Sequence, residues 1–135
     1  MVSANVLSGA VYEAEFQAEV LRRGFVPNIP TIPVAWDIVV VCPSGSLKVQ
    51  VKGTSTVIPN DRTAYKITTS SGRASKSRIG KDIDVIACWI DPARVWYLIP
   101  SSITMPKTIN LYAEAKRSSS KFQTYREDWS IFYKH

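Results

Sequence analysis

The stretch from residue 36 to residue 53, WDIVVVCPSGSLKVQVKG, constrains the fold more than any other part of the chain. Its first half is a continuous apolar run after Asp37, which is typical of a buried β-strand. Its second half alternates apolar and polar residues, and PSGS between the halves is typical of a turn. The stretch therefore predicts a β-hairpin whose second strand carries Lys48, Gln50 and Lys52 on one face.

The flanking sequence predicts further helices and strands. Residues 9–23 form an amphipathic pattern with Ser8 as a capping residue and Gly24 as a terminator, which indicates a helix. The proline-rich residues 25–33 permit at most an edge strand. Apolar runs separated by turn sequences predict three further strands, at residues 63–69, 84–90 and 94–100.

The last segment, KFQTYREDWSIFY at residues 121–133, has aromatic residues at helical intervals. This spacing predicts one packing helix in which the aromatic side chains belong to the core. The order of elements is then helix, strands, basic loop, strands, helix. It predicts a single α+β or α/β domain over residues 1–135, with a central mixed β-sheet flanked by helices.

Composition excludes several kinds of chemistry. The chain has one histidine, His135, and two distant cysteines, Cys42 and Cys88, which are expected to be buried thiols in a reducing cytoplasm. Zinc coordination and histidine-based catalysis are therefore excluded, which leaves carboxylates, lysine, tyrosine or a hard metal ion. No apolar run is long enough to cross a bilayer, and no secretory pattern begins the sequence, so we expect a cytoplasmic protein without a membrane partner.

The net charge of +6 is concentrated in one segment. Residues 62–81 contain six basic residues and no acidic one, so this segment alone carries as much net charge as the whole chain. A basic segment beside a nearly neutral core is expected of a protein that binds a polyanion. A solvated loop is the alternative, and it is the more common explanation for a charge run taken by itself.

Four polar residues stand out against this predicted framework, and each has an ordinary explanation. Glu13 is a helical carboxylate that the helix dipole can stabilise, Asp37 can cap a strand, and Gln50 and Lys52 can lie on the wet face of a sheet. Asp84 has the same ambiguity, and we interpret it as a cap for its turn and strand.

Taken in order, however, these residues resemble the PD-(D/E)XK nuclease superfamily: a helical Glu, an Asp on one hairpin strand, then Gln-x-Lys on the next. The resemblance extends over GAVYEAEFQAEVLRRGFVP, WDIVVVCPSGSLKVQVKGTS, KDIDVIACWIDPARVWYLIP and YREDWSIF. It is closest to small intron-encoded homing endonucleases and to nucleases that resemble Holliday-junction resolvases. Two positions depart from the family pattern, since Trp36 replaces a proline and Gln50 replaces the second acid.

The resemblance implies a restriction-endonuclease-like core and a metal-dependent DNA endonuclease of homing, junction-resolving or phage DNA-processing type. It implies Mg²⁺, with Mn²⁺ able to substitute, bound by Asp37, Gln50, the Val51 carbonyl and Glu13. Lys52 would orient the attacking water and offset negative charge on the phosphate. Contacts to DNA phosphates are expected from the basic segment, at Lys66, Arg73, Lys76, Arg78 and Lys81.

Two alternatives to an active nuclease remain. Because Gln50 replaces an acid, a catalytically inactive DNA-binding module on the same fold is the main alternative, and a basic RNA-binding protein is another. Cutting both strands of double-stranded or branched DNA requires two active sites, which favours a homodimer or a dimer of dimers. The aromatic residues that would form such an interface would equally fit a core: Trp89, Trp96, Tyr97 and Trp129.

Overall fold

The computed structural model describes residues 2–58, 61–69, 82–103, 106–114 and 121–134. Two α-helices and a short 3₁₀ helix occur in these ranges: α1 (Ala4–Arg22), the 3₁₀ helix (Gln123–Tyr125) and α2 (Ser130–Tyr133). Eight strands accompany them in the described ranges: β1 (Val26–Asn28), β2 (Ile38–Cys42), β3 (Gly45–Thr54), β4 (Val57–Ile58), β5 (Asp61–Thr68), β6 (Val85–Ile90), β7 (Val95–Pro100) and β8 (Thr108–Tyr112).

Helix α1 begins earlier than its sequence pattern predicts. Ser3, rather than Ser8, is the capping residue, and its side-chain oxygen accepts a hydrogen bond from the Val6 N–H at 3.3 Å. The predicted end is confirmed, because Gly24 follows the helix with a φ of +84°, a conformation that glycine adopts without steric cost. Phe16 and Val20 are the buried residues of the helix and attach it to the sheet.

The five-stranded sheet has the order β1-β2-β3-β6-β7 and is mixed, which confirms the predicted fold class. The predicted hairpin is present: β2 and β3 are antiparallel, from the Cys42–Gly45 pair at the turn to the Ile38–Val49 pair. From Val49 onward β3 pairs in parallel with β6. Val49 is thus the point at which β3 changes from one partner strand to the other.

Strands β6 and β7 are buried on both faces, and their alternating side chains divide the core into two clusters. Val85, Ala87 and Trp89 face a cluster that also contains Phe16 of α1. Their neighbours Ile86, Cys88 and Ile90 belong to the cluster on the opposite face of the sheet. The four aromatic residues that would fit either an interface or a core are all buried, so they are core residues: Trp89, Trp96, Tyr97 and Trp129.

The face of the five-stranded sheet opposite α1 is covered by a second sheet of order β4-β5-β8, which the sequence pattern did not predict. The strand predicted at residues 63–69 belongs to this second sheet, as β5. Its partner β8 was not predicted at all. Ile67 of β5 and Ile109 of β8 pair across the two strands and pack against the main sheet.

The prediction of one continuous helix over residues 121–133 is wrong. The segment contains the 3₁₀ helix and α2, separated by Glu127 with a φ of +50°. Glu127 donates its N–H to the Trp96 carbonyl at 2.7 Å, and its carboxylate accepts the Trp96 N–H at 2.7 Å. Pairing with β7 therefore outweighs helix continuation. Of the four aromatic residues predicted to belong to the core, Phe122, Trp129 and Phe132 are buried, and Tyr125 is partly buried against the core.

Among the helices in the described ranges, none combines the length and the apolar character that crossing a bilayer requires.

Candidate active site

The β2–β3 hairpin brings Asp37 next to Gln50. Ile38 pairs with Val49, so the residue before Ile38 lies beside the residue after Val49. The Asp37 N–H donates to the Val49 carbonyl at 2.9 Å, which extends the ladder one step beyond the strand. The proximity that the family resemblance requires is thus a direct consequence of hairpin register.

The Asp37 carboxylate also takes the place of a strand. Beyond Ile38 no described strand pairs with β3 on its β2 side, and Asp37 Oδ2 accepts the Val51 N–H at 2.8 Å. The N–H and C=O of a β-strand residue point to the same side, so the Val51 carbonyl also faces Asp37. One edge of β3 therefore presents a carboxylate and a backbone carbonyl together.

Gln50 contributes a fixed amide. Its Nε2 donates to the Ala35 carbonyl at 3.2 Å, which identifies the amide orientation because a carbonyl can only accept. Its Oε1 is buried and has no hydrogen-bond partner among the residues that the structure describes. A buried amide oxygen without a partner carries a desolvation cost of about 1–3 kcal/mol, and a ligand bound to this oxygen would offset that cost.

Lys52 lies on the same face of β3 as Gln50 and pairs with Cys88 of β6. Burial raises the pKa of the Cys88 thiol to about 12, and the Lys52 ammonium opposes that shift. The thiol is therefore a neutral core group. The same ammonium acts on Asp37, so Lys52 lies within electrostatic reach of the carboxylate.

The two carboxylates of the site hold their protons more tightly than ordinary side chains do. Burial raises the pKa of Asp37, against the lowering effects of the Val51 N–H and of the Lys52 ammonium. Burial also raises the pKa of Glu13 on α1, and the Asp37 charge adds to that shift. Two carboxylates that repel each other in a half-buried site are stabilised by a cation placed between them.

These groups fit a hard divalent metal ion. The donors at this edge are two carboxylates, one unpartnered amide oxygen and one backbone carbonyl, all of which are oxygen ligands of the kind that Mg²⁺ prefers. No group of three or more His, Cys, Asp or Glu residues suited to a metal exists among the described residues. The site has two carboxylates, Asp37 and Glu13, and an amide at Gln50.

The remaining predicted residues are placed as follows. Lys66 is exposed on β5, so the basic segment is a strand where it begins and not only a loop. The predicted DNA-binding residues at 73, 76, 78 and 81 lie outside the described residues. Asp84 accepts the Lys48 N–H at 2.8 Å and donates its own N–H to the Lys48 carbonyl at 2.8 Å, as expected of a strand cap.

Sequence reasoning missed two features of the site. The Ala35 carbonyl, which fixes the Gln50 amide, has no sequence signal because any residue supplies a carbonyl. The second feature is the packing of the Tyr12 ring over Gly53, where a Cβ would overlap the ring. Its signal was present, since a glycine in a strand indicates a close approach by another group.

The chain was compared with known proteins. A model of the PD-(D/E)XK endonuclease family matches residues 5–132. The solved structure of a bacterial homing endonuclease, I-Ssp6803I, superimposes with a TM-score of 0.80 at 22% sequence identity, covering 98% of this chain and 93% of that one. No curated protein sequence gives a significant match. The family match spans both the hairpin and α1, the elements that carry the four candidate site residues.

Proposed function

This chain belongs to the PD-(D/E)XK endonuclease family, and we propose that it is a metal-dependent endonuclease that hydrolyses phosphodiester bonds in DNA. One observation supports the metal requirement: the buried Gln50 Oε1 has no hydrogen-bond partner within the described part of the chain, and the hairpin register places Gln50 beside Asp37, whose pKa is raised. A cation satisfies both groups at once. In a DNA-binding module without catalysis, nothing would compensate for the stability lost by burying the unpartnered Gln50 oxygen and the Asp37 carboxylate.

Mg²⁺ is the proposed ion, with Mn²⁺ as a substitute, because both accept an all-oxygen ligand set. Asp37, Gln50 Oε1, the Val51 carbonyl and Glu13 would hold it. When bound, such an ion lowers the pKa of water and neutralises charge on a phosphate oxygen. The neutral Gln50 supplies one charge less than an acid would, so we expect the protein without DNA to bind the ion weakly and the DNA phosphate to strengthen binding.

Lys52 is the proposed catalytic cation. Its ammonium shares the face of β3 with Gln50 and acts electrostatically on Asp37, so it is close to the position that a scissile phosphate would occupy. A compact ammonium there orients a water molecule through its three N–H groups and opposes the negative charge that grows on the phosphate. These two effects distinguish a nuclease from a simple metal site.

Lys66 and the basic residues 73, 76, 78 and 81 are proposed to contact DNA phosphates. Such contacts give affinity that depends on salt and position the duplex, but they do not read its sequence. Since each copy has one candidate site, we propose that two copies related by a two-fold axis cut the two strands. Light scattering in solution tests this assembly, and a monomer at working concentration would contradict it.

Plasmid nicking tests the proposed function. Supercoiled plasmid and a four-way DNA junction are incubated with the protein in Mg²⁺, in Mn²⁺ and in EDTA, alongside Asp37→Ala and Lys52→Met. Lys48→Met is the matched control, because Lys48 lies on the same strand and face but rests on the Trp36 ring, 4.6 Å from its centroid. We expect cleavage that needs metal, is lost in the first two variants and persists in the control.

Two results would contradict this proposal. DNA binding without cleavage of either substrate would favour the inactive DNA-binding module. Equal loss of cleavage in Lys48→Met and Lys52→Met would show that Lys52 contributes only general positive charge.

A further inference from the structure

A polar groove adjoins the candidate active site. It has a volume of about 400 Å³ and lies between the N-terminal half of α1 and the residues of β3 that follow Gln50, with the connection into β4 closing one side. This volume is within the range of about 300–1,000 Å³ that small-ligand pockets occupy. Val51 and Lys52 line the groove as well as belonging to the candidate site, so the groove borders that site.

The floor of the groove is an unpaired strand edge. The Val49 carbonyl faces β2, and backbone groups alternate along a strand, so those of Val51 and Gly53 face the same side. The Val51 N–H already donates a hydrogen bond to Asp37. Gly53 lies beyond Val49, which is the last residue of β3 that pairs with β2. Its N–H is therefore a donor turned toward the groove, where no described strand covers it.

The walls carry further donors. Asn5, Ser8 and Tyr12 line the groove from α1, and their side chains have no hydrogen-bond partner within the described part of the chain. Thr56 lines it from the β3–β4 connection. Hydroxyl, amide and backbone N–H groups are the types that contact phosphate and sugar oxygens in protein–DNA complexes.

The charge of the groove also favours an anion. Among the described residues that line it, none is acidic and Lys52 is the only basic one. Asn5 lines the groove from the first turn of a 19-residue helix, where the helix dipole is positive. The acidic groups, Glu13 and Asp37, are outside the lining, so a phosphate bound in the groove would avoid them.

We propose that this groove binds the sugar–phosphate backbone of the cleaved DNA strand, at a nucleotide next to the scissile phosphate. The inference rests on the proposed function and adds the path of the strand: from the metal ligands, past Lys52, and along the open edge of β3. The Tyr12 ring packs on Gly53 and so forms part of the floor. Binding there is independent of base sequence, because the lining groups face the backbone.

Gly9 supplies the test. It lines the groove, and a Cβ at this position meets no atom within 4 Å, so a longer side chain enters open space. Replacing a helical glycine also favours the helix, so misfolding is not expected. Gly9→Glu places a negative charge in the groove, Gly9→Gln is its neutral isostere, and Ala10→Glu adds the same charge on an exposed neighbouring position outside the groove.

The measurement is anisotropy of a labelled 30-base-pair duplex in EDTA, which prevents cleavage, over a series of salt concentrations. We expect Gly9→Glu to bind about tenfold more weakly than Gly9→Gln. The slope of log affinity against log salt concentration is expected to fall by about the amount that one lost phosphate contact accounts for. Ala10→Glu is expected to stay within twofold of the wild type. The Mn²⁺ concentration that half-saturates thermal stabilisation without DNA is expected to be the same for Gly9→Glu and Gly9→Gln.

Three outcomes would overturn the assignment: equal affinities of Gly9→Glu and Gly9→Gln, an equal loss in Ala10→Glu, or a changed Mn²⁺ requirement in Gly9→Glu, which would place its effect at the metal. If the wild type nicks plasmid while one of these outcomes holds, the groove is not the strand site and the endonuclease proposal stands. If the wild type neither binds the duplex nor nicks plasmid, both proposals fail.

Discussion

Asp37 and Asp84 make the same hydrogen bond in different surroundings. Each precedes a strand adjacent to β3, and each accepts a backbone N–H of β3 at 2.8 Å, from Val51 and Lys48 respectively. Asp84 is exposed. Asp37 is half-buried, interacts with the charges of Glu13 and Lys52, and has a raised pKa.

The difference separates capping from chemistry. Both carboxylates satisfy a strand edge at the point where β3 changes partner, and that task requires only an acceptor. Asp37 performs it with one oxygen while a second carboxylate, a fixed amide and an ammonium converge on it. The hydrogen bond of a strand-opening aspartate does not by itself indicate a function. Such an aspartate becomes a functional candidate when the groups around it would be stabilised by a cation.

Replacement of the two aspartates by asparagine gives the largest expected contrast. Asp37→Asn keeps an acceptor for the Val51 N–H but removes the proposed principal metal ligand, so we expect plasmid nicking to fall at least about a hundredfold. Asp84→Asn keeps the acceptor for the Lys48 N–H and is expected to nick within about twofold of the wild type. Comparable losses in both variants would remove the distinction between the two aspartates.

Gly53→Ala tests whether the position of α1 maintains the surroundings of Asp37. The added Cβ would overlap the Tyr12 ring, next to Glu13, so we expect a loss of about 1–3 kcal/mol in the free energy of unfolding and reduced nicking. Denaturation by urea measures the loss. The double variant Tyr12→Ala/Gly53→Ala is expected to lose less than the sum of the two single changes, and strict additivity would contradict this explanation.

Gln50→Glu tests the position at which the chain departs from the family pattern. A third carboxylate strengthens attraction for a divalent ion, so we expect the Mg²⁺ concentration for half-maximal nicking to fall by about tenfold, equivalent to about 1.4 kcal/mol. The same change turns an Nε2–H donor into an acceptor facing the Ala35 carbonyl, so the metal-free protein is expected to be less stable at pH 7. An unchanged Mg²⁺ requirement would exclude residue 50 from the metal site.

The pH dependence of metal-free stability gives the smallest contrast. Folding raises the pKa of Asp37 and of Glu13, so the folded state binds their protons more tightly than the unfolded state does. Their contribution is therefore most favourable at and below the unfolded-state pKa of about 4, and it declines as pH rises through the raised folded-state pKa. We expect Asp37→Asn to be more stable than the wild type at pH 7 in EDTA, with the difference shrinking toward pH 4.

Thermal unfolding of wild type, Asp37→Asn and Asp84→Asn across that pH range checks the sign. Asp84→Asn is the control for general effects of acid on the protein. A stability difference between wild type and Asp37→Asn that grows as the pH is lowered would contradict the raised pKa of Asp37.

Local sequence was sufficient for the core of the site. Alternation in LKVQVK and the turn at PSGS determine the hairpin register, and that register places Asp37 beside Gln50. The strands β6 and β7 were equally clear, because each is a short apolar run bounded by turn residues. These features depend on neighbours in the chain, which is why pattern reasoning found them.

Long-range pairing explains what the sequence did not reveal. Strand β5 pairs with β8 from Thr68–Thr108 to Ala64–Tyr112, and no local pattern indicates such distant partners. Likewise, Glu127 leaves the predicted helix because its partner is Trp96 on β7. The fixed Gln50 amide and the Tyr12–Gly53 contact depend on tertiary packing in the same way.

The second sheet has a consequence for how such proteins diversify. Strands β4, β5 and β8 lie outside the five-stranded sheet and take no part in the hairpin register that assembles Asp37, Gln50 and Lys52. Outward-facing positions on these strands, such as that of Lys66, can therefore change without moving the three candidate site residues. With the proposed phosphate contact of Lys66 on one sheet and the candidate hydrolytic residues on the other, a lineage can tune its affinity for DNA without moving Asp37, Gln50 or Lys52.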